Sequence, residues 1–459
     1  MRPSNNVARQ QLLTQLRRGP SGATALAEAL EVSPRTILRL IEELGTRSVA
    51  AGSTGRRRYA LRRGLRGKEE AIPVFAVDTR GKTVAAGMLD LIEPGGALFD
   101  LTALGWPIDV AARDGWWRGL PYPLYDMRPQ GFLGRAFART EHSALEVSAD
   151  PRHWGDDDIV HVLARHGADT SGNLILGEGA VRLFQRTLVD DQAALPAERT
   201  AAAYSRLADE IVAHGTVGSS AAGEFPKFTA TRDRRGAATP HVIVKFSGAD
   251  RGAATVRWSD LLICEHLALD HVSRLPVARA AATRVVQASG RTFLEAERFD
   301  RHGAHGRSPV LSLEVLNGHF LGLASQDWRD HAAALGKRGL LAQADVATIS
   351  RLWWFGRLIA NSDMHLGNLS FVPHAGRFTC APAYDMLPMA YAPLAGGEVP
   401  RREWTFEMPL PAEAVAWQAA ASSALAFWRD AADDRRISAS FQTIARRSAE
   451  AIERLAAKV

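Results

Sequence analysis

At 459 residues the chain exceeds one ordinary domain, so two or three domains are expected. Its 46% hydrophobic and 23% charged residues are those of a soluble globular protein, and no apolar run approaches the roughly 18 residues of a membrane span. The net charge of +6 is unevenly placed: residues 1–68 hold 14 Arg or Lys against 4 Glu, a net +10, and the remainder stands at −4. A basic end of this kind favours a polyanionic partner. Cys264 and Cys380 are too few for a disulfide framework or a cysteine zinc site. The N-terminus has no apolar segment of the secretory kind, so a cytoplasmic location is expected.

Val7 to Leu16 reads as an amphipathic helix that Gly19-Pro20-Ser21 ends. A second helix follows over Thr24–Leu30, with small Ala27 where two helices can approach. After a short turn, Ser33 is placed to N-cap a third helix with Pro34 at its first position. Ile37, Leu40, Ile41 and Leu44 form its apolar stripe, which leaves Arg35, Thr36 and Arg39 on the outer face. Helix, tight turn and helix with basic and hydroxyl residues outward is the pattern of a helix-turn-helix DNA reader. Ser48 to Leu61 then reads as a β-hairpin around Gly-Ser-Thr-Gly, and Arg56, Arg57 and Arg58 are the candidate phosphate contacts of a wing. Duplex DNA is the expected partner of this module.

Gly64 to Glu70 is charged and contains Gly, as a linker would. From Ile72 the pattern changes to strands, over Pro73–Asp78 and Thr83–Leu91 with a turn between. Asp156–His166 reads as a capped helix and Gly172–Gly177 as a strand. Nothing in this section assigns chemistry, and His161 and His166 have no partner at metal-ligand spacing.

Val217 to Phe228 is rich in small residues and precedes Val242-Ile-Val-Lys245, an apolar strand carrying one lysine. A loop whose amides can approach phosphates, followed by a strand lysine, suits nucleotide binding, although no Walker A motif is present. Ala222, Gly223 and Lys227 are the candidates in the loop. The helical pattern over Trp258–Leu269 contains Asp260 and Glu265, either able to pair with Lys245, with Glu265 preferred. Thr292–Arg301 reads as a strand leaving into a loop. In a kinase this is the hinge, which makes Glu297, Arg298 and Phe299 candidates to border adenine.

An apolar helix over residues 349–360 delivers the loop Asn361-Ser-Asp-Met-His-Leu-Gly-Asn368, and a hairpin then leads to Tyr384-Asp385. Alone, Asp and Asn here are ordinary turn formers. Asp363 five residues before Asn368, with Asp385 after a hairpin, matches a catalytic Asp and two magnesium ligands of a protein kinase. His365 and Tyr384 join the nucleotide-binding candidates.

On these residues the chain resembles the HipA family of bacterial serine/threonine kinases, the toxin components of type II toxin–antitoxin systems. The resemblance runs from about Ile72 to the C-terminus. It is carried by Ser220-Ala-Ala-Gly-Glu-Phe-Pro-Lys227, His241-Val-Ile-Val-Lys245, Glu297-Arg-Phe-Asp300, Asn361–Asn368 and Tyr384-Asp385. A helix-turn-helix fused in the same chain is similar to the YjjJ (HipH) branch. The resemblance implies ATP and Mg²⁺ as cofactors, Asp363 as the catalytic Asp, Asn368 and Asp385 on the metal, and Lys245 on the phosphates. It also implies autophosphorylation of Ser220, or of Ser219 beside it. Family targets include aminoacyl-tRNA synthetases. Phe225 stands where many relatives carry Gln, and Ala222 where Gly is common; both bear on phosphate contact.

The expected fold is α+β: a winged helix-turn-helix (1–68), an α/β subdomain (72–200), a nucleotide-binding lobe (201–300) and a mostly helical catalytic lobe (301–459). The expected activity is a Ser/Thr protein kinase acting as a toxin on a cellular protein, with a fused autoregulatory DNA-binding domain and room for a homodimer. The alternatives are a transcription regulator whose kinase fold senses a nucleotide, and a small-molecule phosphotransferase.

Overall fold

Three helices open the chain, α1 (Asn5–Leu16), α2 (Ala23–Leu30) and α3 (Pro34–Leu44). The computed structural model describes residues 5–189, 194–213, 225–233 and 236–459. The third helix starts as its sequence dictates: the Ser33 hydroxyl accepts from Thr36 N at 3.2 Å, and Pro34 follows at N1. Such a cap contributes about 1 kcal/mol. Ile37, Leu40, Ile41 and Leu44 are all buried and pack with Leu12, Leu16, Leu26 and Leu30. Strands β1 (Ser21–Gly22), β2 (Ser48–Ala51) and β3 (Arg58–Leu61) form an antiparallel sheet in the order β1-β3-β2. Gly52 turns out of β2 at φ +106, where an added Cβ would lie 2.8 Å from Arg56 O.

The segment expected to be a linker is tied down. Arg62, just before it, reaches Asp90 at 2.7 Å, Arg63 reaches Asp157 at 2.6 Å, and Arg66 reaches Asp158 at 2.6 Å. Val49 and Ala60 also share an apolar cluster with Ile92 and Trp116. Three of the arginines behind the N-terminal charge excess therefore neutralise acids elsewhere in the chain.

Next comes a five-stranded antiparallel sheet in the order β7-β6-β5-β4-β8, from β4 (Ile72–Val77), β5 (Thr83–Leu91), β6 (Ala97–Leu98), β7 (Trp116–Trp117) and β8 (Leu174–Leu176). Helices α4 (Pro123–Met127), α5 (Gly131–Leu145), α6 (Asp156–His166) and α7 (Gly177–Val189) accompany it.

Helix α8 (Thr200–Ala213) leads to a second antiparallel sheet, β11-β12-β10-β9, made of β9 (Lys227–Thr231), β10 (His241–Phe246), β11 (Thr283–Ala288) and β12 (Arg291–Glu297). Helix α9 (Ala253–Val272), longer at both ends than its sequence pattern, lies between β10 and β11. A short ribbon, β13 (Arg301–His302) with β14 (Gly306–Arg307), follows.

The rest is mainly helical: α10 (Leu313–Leu316), α11 (Trp328–Lys337), α12 (Gln343–Leu358), α13 (Ala414–Asp433) and α14 (Ala439–Ala456). Trp328, Trp417 and Trp428 are fully buried in it. A small sheet, β15 (Leu311–Ser312), β16 (Ser370–His374) and β17 (Arg377–Cys380), carries the loop of interest at its edge. Helix α12 stops before residue 360, because Ala360 takes a left-handed φ of 58° that no helix continues. The fold is thus mixed helix and sheet. No helix among the described residues is long and apolar enough to cross a membrane.

Candidate active site

Alternation along β10 buries Val242, Val244 and Phe246 on one face of the sheet with Tyr204 and Phe293. Lys245 projects from the other face, and its Nζ lies 2.7 Å from both carboxylate oxygens of Glu265 on α9. The same ammonium donates to Asp385 Oδ1. Lys245 and Glu265 are buried, whereas the Asp385 side chain keeps 30% of its surface exposed. Burial disfavours the Lys245 ammonium, but Asp385 and Glu265 outweigh it and hold it charged. For Asp385, burial is outweighed by Lys245 and Lys227, so its carboxyl sits below the usual range and stays ionised. Burial pushes the Glu265 carboxyl up, against the pull of Lys245.

Asp260, the other acid weighed as partner for Lys245, serves elsewhere. It accepts from Ser438 N and Oγ, both at 2.7 Å, at the start of α14. Helical geometry separates the two acids: five residues along α9 turn the side chain by more than a quarter of a circle.

The loop 361–368 is joined to Asp385 by Asn361. This buried amide donates to Asp385 O at 3.1 Å and accepts from Asp363 N at 3.0 Å. Asn368 Nδ2 donates to Asp363 O at 2.8 Å, so its Oδ1 is the atom left for a cation. The Asp363 side chain is exposed. His365 Nδ1 accepts from Gly367 N at 3.1 Å and shapes the turn. The Tyr384 hydroxyl donates to Gly367 O at 2.7 Å and lies 2.7 Å from Ser370 Oγ. Asp385 adopts a left-handed φ of 54°, a conformation that costs a non-glycine residue on the order of 1–3 kcal/mol and clusters at working sites. Asp385 and Asn368 together offer hard oxygen donors, one firmly ionised, which suits Mg²⁺.

The remaining candidates divide. Lys227 faces Lys245 across the β9–β10 ladder. Phe225 is buried edge-on against Trp258, with ring centroids 4.6 Å apart, and Lys245 Nζ is 5.9 Å from its ring. Phe299 stands beside Tyr384, centroids 5.8 Å apart. The amides of Glu297 and Arg298 donate to Ala282 O and His241 O. The Arg298 side chain turns away from the lysine into ion pairs with Asp169 and Asp300. Ser219, Ser220, Ala222 and Gly223 lie outside the described residues.

At the N-terminus, Arg35 and Arg39 are exposed on α3, and Arg39 approaches Glu43 at 3.8 Å. Thr36 is engaged in the cap of Ser33. Arg56 and Arg57 occupy the exposed β2–β3 turn, whereas Arg58 stacks 5.5 Å from the Trp116 ring, against the five-stranded sheet.

Sequence reasoning did not single out Asn361 or Ser370. Asn361 had a local signal, since a side-chain amide two residues before a backbone N–H is an Asx turn. Ser370 had none.

Two family profiles fit the chain. One, described as the YjjJ-like toxin middle domain, matches residues 68–185; the other, the HipA-like C-terminal domain, matches residues 219–458. Toxin YjjJ of Escherichia coli (strain K12) is 36% identical over 457 residues, covering 98% of each chain. Among solved structures, a chain of the Shewanella oneidensis MR-1 toxin–antitoxin complex of HipA, HipB and its operator DNA aligns with 83% of this chain and 97% of its own. Its TM-score is 0.52 at 16% identity. The chain belongs to the HipA-like toxin family, on its YjjJ-like branch.

Proposed function

We propose that the chain is an ATP- and Mg²⁺-dependent serine/threonine protein kinase of the toxin type. The observation that carries this is one continuous hydrogen-bonded path. It runs from Glu265 through Lys245 to Asp385, and from the Asp385 carbonyl through Asn361 to Asp363 and Asn368. A lysine held by a helix carboxylate, next to an ionised Asp and a loop Asp–Asn pair, is the set that phosphoryl transfer needs.

In this reading Lys245, kept charged by its two carboxylates, binds the nucleotide phosphates, and Glu265 fixes its position. Asp363, exposed at the loop surface, accepts the proton of the attacking hydroxyl. Asn368 and Asp385 would hold Mg²⁺, which when bound neutralises charge on the phosphates. The backbone around Glu297–Phe299 borders the adenine. The protein's contribution is positioning and charge stabilisation. Asp363→Ala and Asp385→Ala should abolish ³²P incorporation from labelled ATP while leaving the chain folded; undiminished incorporation in either would overturn the assignment. Mass spectrometry of the expressed protein should find phosphate on Ser219 or Ser220. The cellular target, with aminoacyl-tRNA synthetases as the first to try, is sought by incubating the protein with ATP and mapping phosphopeptides.

We further propose that residues 1–68 are a winged helix-turn-helix that binds duplex DNA and regulates the chain's own expression. Residues 72–200, 201–300 and 301–459 would form the further subdomain and the two kinase lobes. Three helices, a three-stranded sheet and exposed Arg35, Arg39, Arg56 and Arg57 support the DNA reading. Arg58, stacked on Trp116, contributes least. Binding should weaken steeply with salt. Joint neutralisation of Arg35, Arg39, Arg56 and Arg57 should abolish it in an electrophoretic shift assay; retained binding would remove this face from consideration.

A further inference from the structure

The part of the chain matched by the YjjJ-like middle-domain profile carries no residue of the site described above, yet it touches the loop's support, most directly through one carboxylate. Asp126, on α4, accepts two hydrogen bonds from Ser312, from N and from Oγ, both at 2.6 Å. The Ser312 hydroxyl in turn accepts from Val315 N at 3.3 Å and so caps α10. Ser312 also pairs with Ser370 in the β15–β16 ladder, and Leu313 N donates to Leu369 O at 2.7 Å directly after the loop. From Ser370 the path continues. Its hydroxyl meets the Tyr384 hydroxyl at 2.7 Å, and Tyr384 donates to Gly367 O, beside Asn368. Asn368 then holds the Asp363 carbonyl.

We propose that Asp126 is a positioning residue for the loop 363–368: through Ser312, Ser370 and Tyr384 it sets where Asn368 and Asp363 stand. The five-stranded-sheet region is then a working part of the catalytic unit. A carboxylate suits the task because one Asp accepts from a backbone amide and a hydroxyl at once, fixing both the start of α10 and the edge of the small sheet. Displacing the loop by a fraction of an ångström moves the proton acceptor and the proposed metal ligand together. Nucleotide contacts made by Lys245 on the other sheet would be left alone.

The test uses the full chain and the variants Asp126→Ala, Ser312→Ala and Asp126→Asn, the last retaining an acceptor oxygen. Hydrogen exchange by mass spectrometry should show faster exchange in peptides spanning 363–371 in Asp126→Ala, and less so in Ser312→Ala. Peptides from α9 should stay unchanged in both. In the phosphorylation assay the turnover rate should fall on the order of 10- to 100-fold in Asp126→Ala. Affinity for a fluorescent ATP analogue measured without Mg²⁺ should stay within about twofold, because Lys245 and the end of β12 lie off the displaced loop. Asp126→Asn should recover most of both losses. Unchanged exchange over 363–371 in a folded Asp126→Ala, or in Ser312→Ala should the former not fold, would overturn the proposal. So would equal acceleration throughout the chain. The kinetic arm rests on the kinase reading; the exchange arm does not, so an inactive wild type would count against that reading alone.

Discussion

Two ionic clusters lie near the strand β12, one on its neighbour β10 and one just beyond its C-terminal end, and they are built to different ends. In the first, Lys245 serves Glu265 and Asp385, and Asp385 is part-exposed with a strained backbone. In the second, Arg298 and Arg301 grip Asp300 and Asp169 through several hydrogen bonds each and also reach the carbonyls of Thr170 and Gly172. Both shift ionisation strongly. Despite burial, Arg298 and Arg301 hold Asp300 below its ordinary value, and Asp169 falls to about 2 by the same pair. Perturbed ionisation therefore does not tell a working site from a structural one. The difference is in spare capacity. Planar guanidiniums enclose the buried Asp300 and also grip the exposed Asp169, which locks the chain leaving β12 to the Gly167–Asp169 turn. A lysine is a point charge, free to exchange one of its carboxylates for a phosphate.

That contrast can be broken by substitutions that leave shape nearly intact. The largest effect on activity should come from Asp385→Asn, which removes the proposed metal ligand but leaves Lys245 its bonds to Glu265. Phosphorylation should drop by about 10³-fold or more, roughly 4 kcal/mol, with melting temperature little changed. Asp300→Ala should do the reverse. Two buried guanidiniums lose the buried one of their two shared partners, which costs about 3 kcal/mol of stability in a chemical-denaturation experiment, while activity per folded molecule persists. If Asp385→Asn unfolded the chain and Asp300→Ala silenced it, the division of labour between the clusters would be wrong.

What was legible in the sequence follows the same line between local and distant. The stripe Ile37, Leu40, Ile41, Leu44 and the cap at Ser33 are periodic or adjacent, and they stand where the pattern put them. The Asp363–Asn368 spacing and Glu265 at helical register were readable for the same reason. Asp126 with Ser312 was not, because 186 residues separate them and a pairing across the chain leaves no local pattern. Nor was the role of Arg62, Arg63 and Arg66. A run of basic residues looks the same whether it faces a polyanion or three aspartates of its own chain.

A subtler change sharpens the first cluster. Glu265→Gln keeps a side chain able to accept from Lys245 but removes its charge, so Asp385 alone would neutralise the lysine. Lys245 should then be drawn towards Asp385 and compete with the metal. We expect a rise in the Mg²⁺ concentration needed for half-maximal activity and a fall in rate of about tenfold, since a charge-assisted hydrogen bond is replaced by a weaker one. An unchanged Mg²⁺ requirement would show that Glu265 does no more than fill space.

The smallest effect is one of stability: it belongs to Asp126→Asn, and it turns on pH. Burial pushes the Asp126 carboxyl up to about 6; the bonds from Ser312 and the charge of Arg128 pull it down, and Glu314 pushes it up. The Tyr384 hydroxyl, itself raised by burial, is the other titratable group near it. Because the folded value lies above the unfolded one, near 3.9, the stability that Asp126 contributes is full below about pH 4 and is lost as pH rises through 6. Asp126→Asn mimics the protonated form. Its melting temperature should exceed that of the wild type by about 2 °C near pH 8, and the gap should roughly halve by about pH 5 and close below about pH 4. A gap that stays constant over that range would mean that the bonds from Ser312 fully offset the burial of the Asp126 charge, and that its carboxyl is not raised.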